Sequence, residues 1–190
     1  MQVRRSLAPP ALAGAIAVVL LLGLIAPAAW AQEDHEPEFI ATYRCEVLGT
    51  LVKLYKLADP VQMDHRYLIV APLGMPQGYV QCIFIEKGTR MLCEASSGYY
   101  ANKPNDPRTA WLPGDAKAKL AVLGFDTAET QSNYQALLPT PDQSKLDAIA
   151  DLMLRALYQA YGARTEMRME IQAPQAGVNR AVMKSCQAIS

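Results

Sequence analysis

The chain has little from which to build a catalytic or metal centre. It carries two histidines, His35 and His65, in 190 residues. It has no Cys-x-x-Cys. A zinc site needs about four Cys, His or acidic ligands at motif spacing, which this set does not supply once its thiols are oxidised. No glycine-rich phosphate loop follows a strand pattern, and no G-x-S-x-G elbow is present. Lys+Arg and Asp+Glu are equal at 18 each. The sequence therefore lacks the basic face that nucleic acid requires, and it has no block of like charge to act as an interaction tail. Beyond one stretch near the start, no apolar run is long enough to span a bilayer.

That stretch reads as an export signal. Residues 1–10 hold Arg4 and Arg5 and no acid, residues 11–28 are apolar, and Ala29-Trp30-Ala31 fits the small-x-small rule of signal peptidase. The expectation is a signal peptide over 1–31, cut after Ala31, and a periplasmic or secreted product. The alternative is a retained membrane anchor. Gly14, Gly23, Pro27 and the cleavage-like triplet favour removal. No cysteine stands at the cut to take a lipid, and the Arg4-Arg5 pair sits in an ordinary basic region rather than a twin-arginine context. The remaining 159 residues (190 less 31) make one domain's worth, with 16 basic residues (18 less Arg4 and Arg5) against 18 acidic.

All four cysteines lie beyond the cut, and oxidised cysteines suit an extracytoplasmic protein. Val80–Glu86 and Thr89–Glu94 alternate around Lys87-Gly88, so a hairpin sets Phe84 opposite Met91 and Cys82 opposite Cys93. A two-residue turn puts the cysteines at a hydrogen-bonded pair. A four-residue loop in the same register moves them to the closer, non-hydrogen-bonded kind of site. Four cysteines allow three connectivities. The hairpin favours Cys82–Cys93, which leaves Cys45–Cys186 by elimination, and the bridges read as staples rather than catalytic thiols.

The rest of the chain reads as alternating helices and strands. Residues 32–38 are acidic and polar, a loose leader. Ile40, Tyr43, Val47, Leu51 and Leu54 predict a helix over 39–57, although 42–47 also alternates as a strand would. Tyr67–Val70 is a short buried strand, and the second hairpin strand runs on to about Tyr99. Asp115, as N-cap, opens a short helix that Gly124 ends. Residues 133–138 are a further strand. Pro141-Asp142 opens a long helix closed by Gly162, with Asp147, Asp151, Arg155 and Gln159 as its polar stripe and Asp151–Arg155 as an i,i+4 pair. Glu166–Ile171 alternates as a strand, charged on one side like a guarded sheet edge. Residues 174–190 form a tail pinned by Cys186. The order is helix, three strands, helix, strand, helix, strand. It predicts a single α+β domain over 39–173, an antiparallel sheet with flanking helices.

Several phrases in this order resemble the type III secretion chaperone-like and YbjN-like superfamily. Tyr67–Pro72 is similar to its first strand and Gly78–Gln81 to the start of its second. Leu92–Tyr100 is similar to its third, Leu120–Phe125 to the end of its second helix, and Ile149–Gly162 to its last helix. The resemblance implies a small α+β fold that binds protein segments, often as a homodimer, without catalysis or cofactor. This chain differs from that pattern in its export signal, its cysteines and the segment beyond Pro174.

The candidate chemistry is sparse. Gln81 and Glu94 face each other in the hairpin register, either as a functional carboxylate with its partner or as a polar pair on a solvated sheet face. Tyr79, Tyr99, Tyr100 and Trp111 read as an aromatic groove for peptide or as packing. Met153, Met167 and Met169 read as an adaptable surface or, at their spacings, as core. Asp64-His65 has the composition of a base with its orienter and also that of an exposed loop pair. The function expected is polypeptide binding on the sheet face and its exposed edge. Its rivals are an envelope component without a groove and a small enzyme using Asp64 and His65, or Glu94.

Overall fold

Among the described residues, six strands form one fully antiparallel sheet, in the order β4-β3-β2-β1-β5-β6. The computed structural model describes residues 35–57, 60–75, 77–100, 114–128, 132–140 and 142–186. The strands are β1 (Tyr67–Pro72), β2 (Val80–Ile85), β3 (Arg90–Ala95), β4 (Tyr134–Pro139), β5 (Met169–Ala173) and β6 (Val178–Val182). The helices are α1 (Glu36–Tyr55), α2 (Ala116–Val122) and α3 (Lys145–Tyr161). This is an α+β domain. Among the described residues no helix is long and apolar enough to cross a membrane.

Helix α1 starts at Glu36, three residues before the sequence pattern places it. Glu36-Pro37-Glu38 reads as a polar leader, yet it suits a first helical turn. Proline is tolerated there because its missing N–H would be unsatisfied anyway, and the two acids complement the helix dipole. The helix buries Phe39, Tyr43, Val47, Leu51 and Leu54, so the strand alternative for 42–47 falls away. Helix α3 buries Leu146, Ile149, Met153, Leu157 and Ala160 as its spacing predicts, and it ends on left-handed Gly162 at φ 70°. Each large side chain buried this way contributes about 1.5–3 kcal/mol. A surface i,i+4 pair contributes about 0.2–0.5 kcal/mol. Packing therefore fixes where the helices lie.

One sheet face meets the helices. Leu68, Val70, Val80, Cys82, Phe84, Met91, Cys93, Ala95, Met169 and Ile171 are buried on it, in a single cluster with the inner faces of α1 and α3. Met153 and Met169 are core, and Met167 is half-buried.

The hairpin register is the expected one: Phe84 faces Met91 and Cys82 faces Cys93. The connection is the four-residue loop 86–89, in which Glu86, Lys87 and Gly88 all take positive φ. The cysteines accordingly occupy a non-hydrogen-bonded pair with Cα atoms 4.0 Å apart, and they are bridged. Cys45 on α1 is bridged to Cys186. The second hairpin strand stops at Ala95 rather than Tyr99.

The C-terminal segment departs furthest from the sequence reading. Residues 178–182 are a sixth strand, not a tail, so β5 lies between β1 and β6 and is not an edge. Strand β5 also begins at Met169, leaving Glu166 outside it. Its outward Glu170 pairs with Arg180 of β6 at 2.7 Å. The charge that reads as an edge guard is therefore a cross-strand contact.

Candidate functional site

The face of the sheet turned away from the helices carries two parallel cross-strand rows. The first is Tyr67, Ile83, Leu92 and Leu137, one from each of β1 to β4. All four are apolar or aromatic. Three are half-buried, and Leu137 is 46% exposed. The second row is Gln172, Ile69, Gln81, Glu94 and Gln135, across β5, β1, β2, β3 and β4. Alternation along each strand puts both rows on the same face.

Glu94 is the hub of the polar row. The Gln81 amide donates a short hydrogen bond to Glu94 Oε2, and Gln135 Nε2 donates to Glu94 Oε1 at 3.1 Å. Two amide groups from neighbouring strands thus bracket one carboxylate. Gln81 and Glu94 face each other as the sequence register predicts. Gln135 completes the set and is missed in the sequence, because the β3–β4 register depends on a long connection.

Next to this row lies a shallow depression of about 380 Å³, lined by Ile69, Tyr79, Gln81, Glu170, Gln172 and Arg180 among others. Arg180 grips Glu170 with both ends of its fork, Nε at 2.9 Å and Nη2 at 2.7 Å. Tyr79 is anchored by its hydroxyl, which accepts from Asn133 Nδ2 at 2.9 Å. The structure thus gathers Tyr79, Gln81 and Glu94 on or beside one face.

The remaining aromatic candidates do not join them. Tyr99 and Tyr100 lie beyond the end of β3 and pack edge-to-face on each other, with ring centroids 5.1 Å apart and both rings exposed. Trp111 lies outside the described residues. Ser96 is buried, and its carbonyl accepts from the Tyr161 hydroxyl at 2.7 Å. Burial first, then the neighbouring Tyr79 and Tyr134, push the Tyr161 phenol far above its ordinary value of 10.0.

Asp64 and His65 end a short 3-10 helix, Pro60–His65, and both are exposed. Asp64 Oδ1 accepts from the backbone N–H of Lys87 at 2.7 Å, so the carboxylate holds the hairpin loop. Among the described residues no cluster of three or more His, Cys, Asp or Glu is arranged to hold a metal ion.

A second polar cluster joins α1 and α3 on the opposite side of the domain. Arg44 bridges Asp147 and Asp151, each at 2.7 Å. Its hydrogen bond to Asp151, opposed by burial, raises its pKa from an already high value. Arg155 lies 3.7 Å from Glu36, which also accepts two bonds from Gln159 at 2.9 Å. The polar stripe of α3 therefore ties down α1. Asp151 turns to Arg44 rather than forming the i,i+4 pair with Arg155 that the spacing suggests. On α2 likewise, Asp115 sits at the N-cap position but its carboxylate pairs with Lys119 at 2.7 Å, and its side chain caps no backbone amide.

Comparison of the chain with protein-family models, with curated proteins and with solved structures finds no match.

Proposed function

We propose that this is an exported, non-catalytic polypeptide-binding domain that holds extended protein segments on the open face of its sheet. The observation that carries the reading is the pair of rows. Tyr67, Ile83, Leu92 and Leu137 form an apolar strip free of helices among the described residues. The Gln81–Glu94–Gln135 amide–carboxylate set runs beside it. An extended chain presents apolar side chains and peptide groups in alternation, and a strip of each is what it can use at once. The order of elements and the phrases between Tyr67 and Ile171 support a kinship with secretion-chaperone-like folds, where this kind of binding is implied.

The two disulfides support residence in an oxidising compartment, in keeping with the basic, then apolar, N-terminal pattern. A purely structural envelope role is the second reading. It draws on the mutual saturation of Gln81, Glu94 and Gln135, which satisfy one another without a ligand.

Fluorescence anisotropy with a permanently unfolded, reduced client protein separates the two. Binding is expected for the native domain, with at least a tenfold loss in Leu137→Asp and in Leu92→Gln at unchanged melting temperature. A native domain that binds neither the client nor a hydrophobic dye rejects the binding role and leaves the structural one.

A further inference from the structure

The two bridges sit in unlike surroundings. Cys82 and Cys93 are both fully buried in the sheet, so a thiolate cannot reach either sulfur while the domain is folded. Cys45 is exposed on α1, and Cys186 is half-buried. The two sulfurs of this second bridge also differ from each other. The backbone N–H of Cys45 donates to Cys186 Sγ at 3.0 Å. Among the described residues no such donor reaches Cys45 Sγ.

We propose that Cys45–Cys186 is a thiol–disulfide exchange site for a dithiol reductant, polarised so that Cys45 is attacked and Cys186 leaves, and that opening it detaches β6 from the sheet. Exchange is fastest where the attacked sulfur is accessible and the departing one is stabilised as thiolate. Access selects Cys45 Sγ. The N–H on Cys186 Sγ favours negative charge there, as a hydrogen bond to an anionic form does. Two independent observations thus name the same polarity. In the first step a thiolate of the reductant bonds to Cys45 Sγ, the Cys45–Cys186 bond breaks, and its electron pair leaves on Cys186. In the second step the reductant's other thiolate attacks its own sulfur in the mixed disulfide and frees Cys45 as thiolate. The reductant ends as a disulfide, and the two cysteine thiolates take up protons from water.

The strand that this bridge secures is otherwise weakly held. Residues 183–186 run from the end of β6 to α1. Met183 N–H donates to Met169 O at 2.8 Å, Lys184 N–H to the Glu46 carboxylate, and Cys186 N–H to Thr42 O at 2.6 Å. Of residues 179–185 only Met183 is buried. Apolar burial is what offsets the entropy of ordering an edge strand, and here one side chain supplies it. The Arg180 side chain is 69% exposed, so its pair with Glu170 is partly screened by water. The bridge therefore keeps β6 in place by confining its far end. Opening it also alters the candidate face. Arg180 lines the depression beside the polar row, so the departure of β6 removes one wall of it and bares the outer edge of β5. The exchange itself does not depend on polypeptide binding by that face.

The test uses the full chain recovered from expressing cells, with both native disulfides mapped intact. Reduced glutathione, a monothiol, is applied briefly and quenched with acid, and free thiols are alkylated before peptide mapping. The adduct on Cys45 with alkylated Cys186 is expected in at least tenfold excess over the reverse, with Cys82–Cys93 still closed. A Cys-x-x-Cys dithiol protein then opens the bridge fully, and alkylating the freed pair fixes the open state. Hydrogen exchange of the amides in 179–186 is expected to rise at least tenfold on opening, while β1 to β4 keep their protection. Cys45→Ser with Cys186→Ser should reproduce that pattern without any reductant. Equal adducts, or an excess on Cys186, overturn the polarity. Unchanged exchange in 179–186, loss of protection across the whole domain in either open form, or a bridge that opens no faster than Cys82–Cys93 overturns the inference.

Discussion

The guanidinium of Arg66 donates to the carbonyl of Leu54 at 2.9 Å and to that of Leu57 at 3.0 Å. Arg66 is 2% exposed, so it caps the C-terminal end of α1 from inside the domain. Arg66→Met keeps bulk but leaves these carbonyls unmet. It is expected to lower unfolding free energy by about 2–4 kcal/mol, read by urea denaturation. Arg66→Lys, a point charge without the fork, should recover only part of the loss.

Gly88 closes the β2–β3 loop at φ 82°, and a Cβ there would lie 2.6 Å from Met63 Cε. Gly88→Ala combines a left-handed backbone, for which alanine is unsuited, with displacement of the Met63 side chain. A destabilisation of about 1–3 kcal/mol is expected from thermal melts. Gly88→Ala with Met63→Ala relieves the contact but not the backbone, and it separates the two contributions.

The two disulfides differ in access. Cys82 and Cys93 are fully buried in the sheet, whereas Cys45 is exposed on α1. A mild thiol reductant should therefore open Cys45–Cys186 first, with Cys82–Cys93 surviving until the domain unfolds. Timed alkylation and mass mapping checks the order. The bridges close loops with sequence separations of 141 and 11. In the chain-entropy model these are worth about 5 and about 3 kcal/mol. Replacing Cys45 and Cys186 with serine should cost more than replacing Cys82 and Cys93, before any packing loss is added.

Stability should fall in alkali. Tyr161 is raised far above 10.0 by burial, and Tyr43 is raised by burial and then by Glu166. A group raised in the folded state contributes stability that is fully present below its unfolded value and is lost as pH rises beyond it. The loss is therefore expected above pH 10 or so, with tyrosinate absorbance appearing together with unfolding. Tyr161→Phe should flatten that alkaline loss while costing the hydrogen bond to Ser96. On the acid side Asp115 and Asp142 are lowered, by the hydrogen bonds from Lys119 and Ser144 respectively. What they contribute is lost as pH falls below 3.8. Both are fully exposed, so that effect is small.

What was legible in the sequence follows the range of the interactions involved. The hairpin register could be read because Cys82, Phe84, Met91 and Cys93 alternate across a short loop, and its polar pair Gln81–Glu94 came with it. Helix α3 could be read because its apolar stripe is continuous and Gly162 ends it. Strand β6 could not. It is bonded on one side only, and Asn179, Arg180, Ala181 and Val182 are all exposed, so the usual alternation is missing. For the same reason Glu166–Ile171 reads as an edge, since nothing local announces β6 as its outer neighbour. Arg66 and Arg44 find their partners only after folding, and no local spacing signals a buried cap or a bridge to Asp147 and Asp151. At the candidate site the sequence pointed to Gln81, Glu94 and Tyr79, while Gln135, Glu170 and Arg180 entered with strands whose register is long-range.

Cys45 and Cys186 lie near the two ends of the folded domain. The polypeptide between them is a covalent loop, so one backbone cut anywhere within it yields two pieces that stay attached. Such a nicked molecule would gain only one water and stay in one covalent piece until a reductant is added, and endogenous proteolysis of this protein would go unseen on a non-reducing gel.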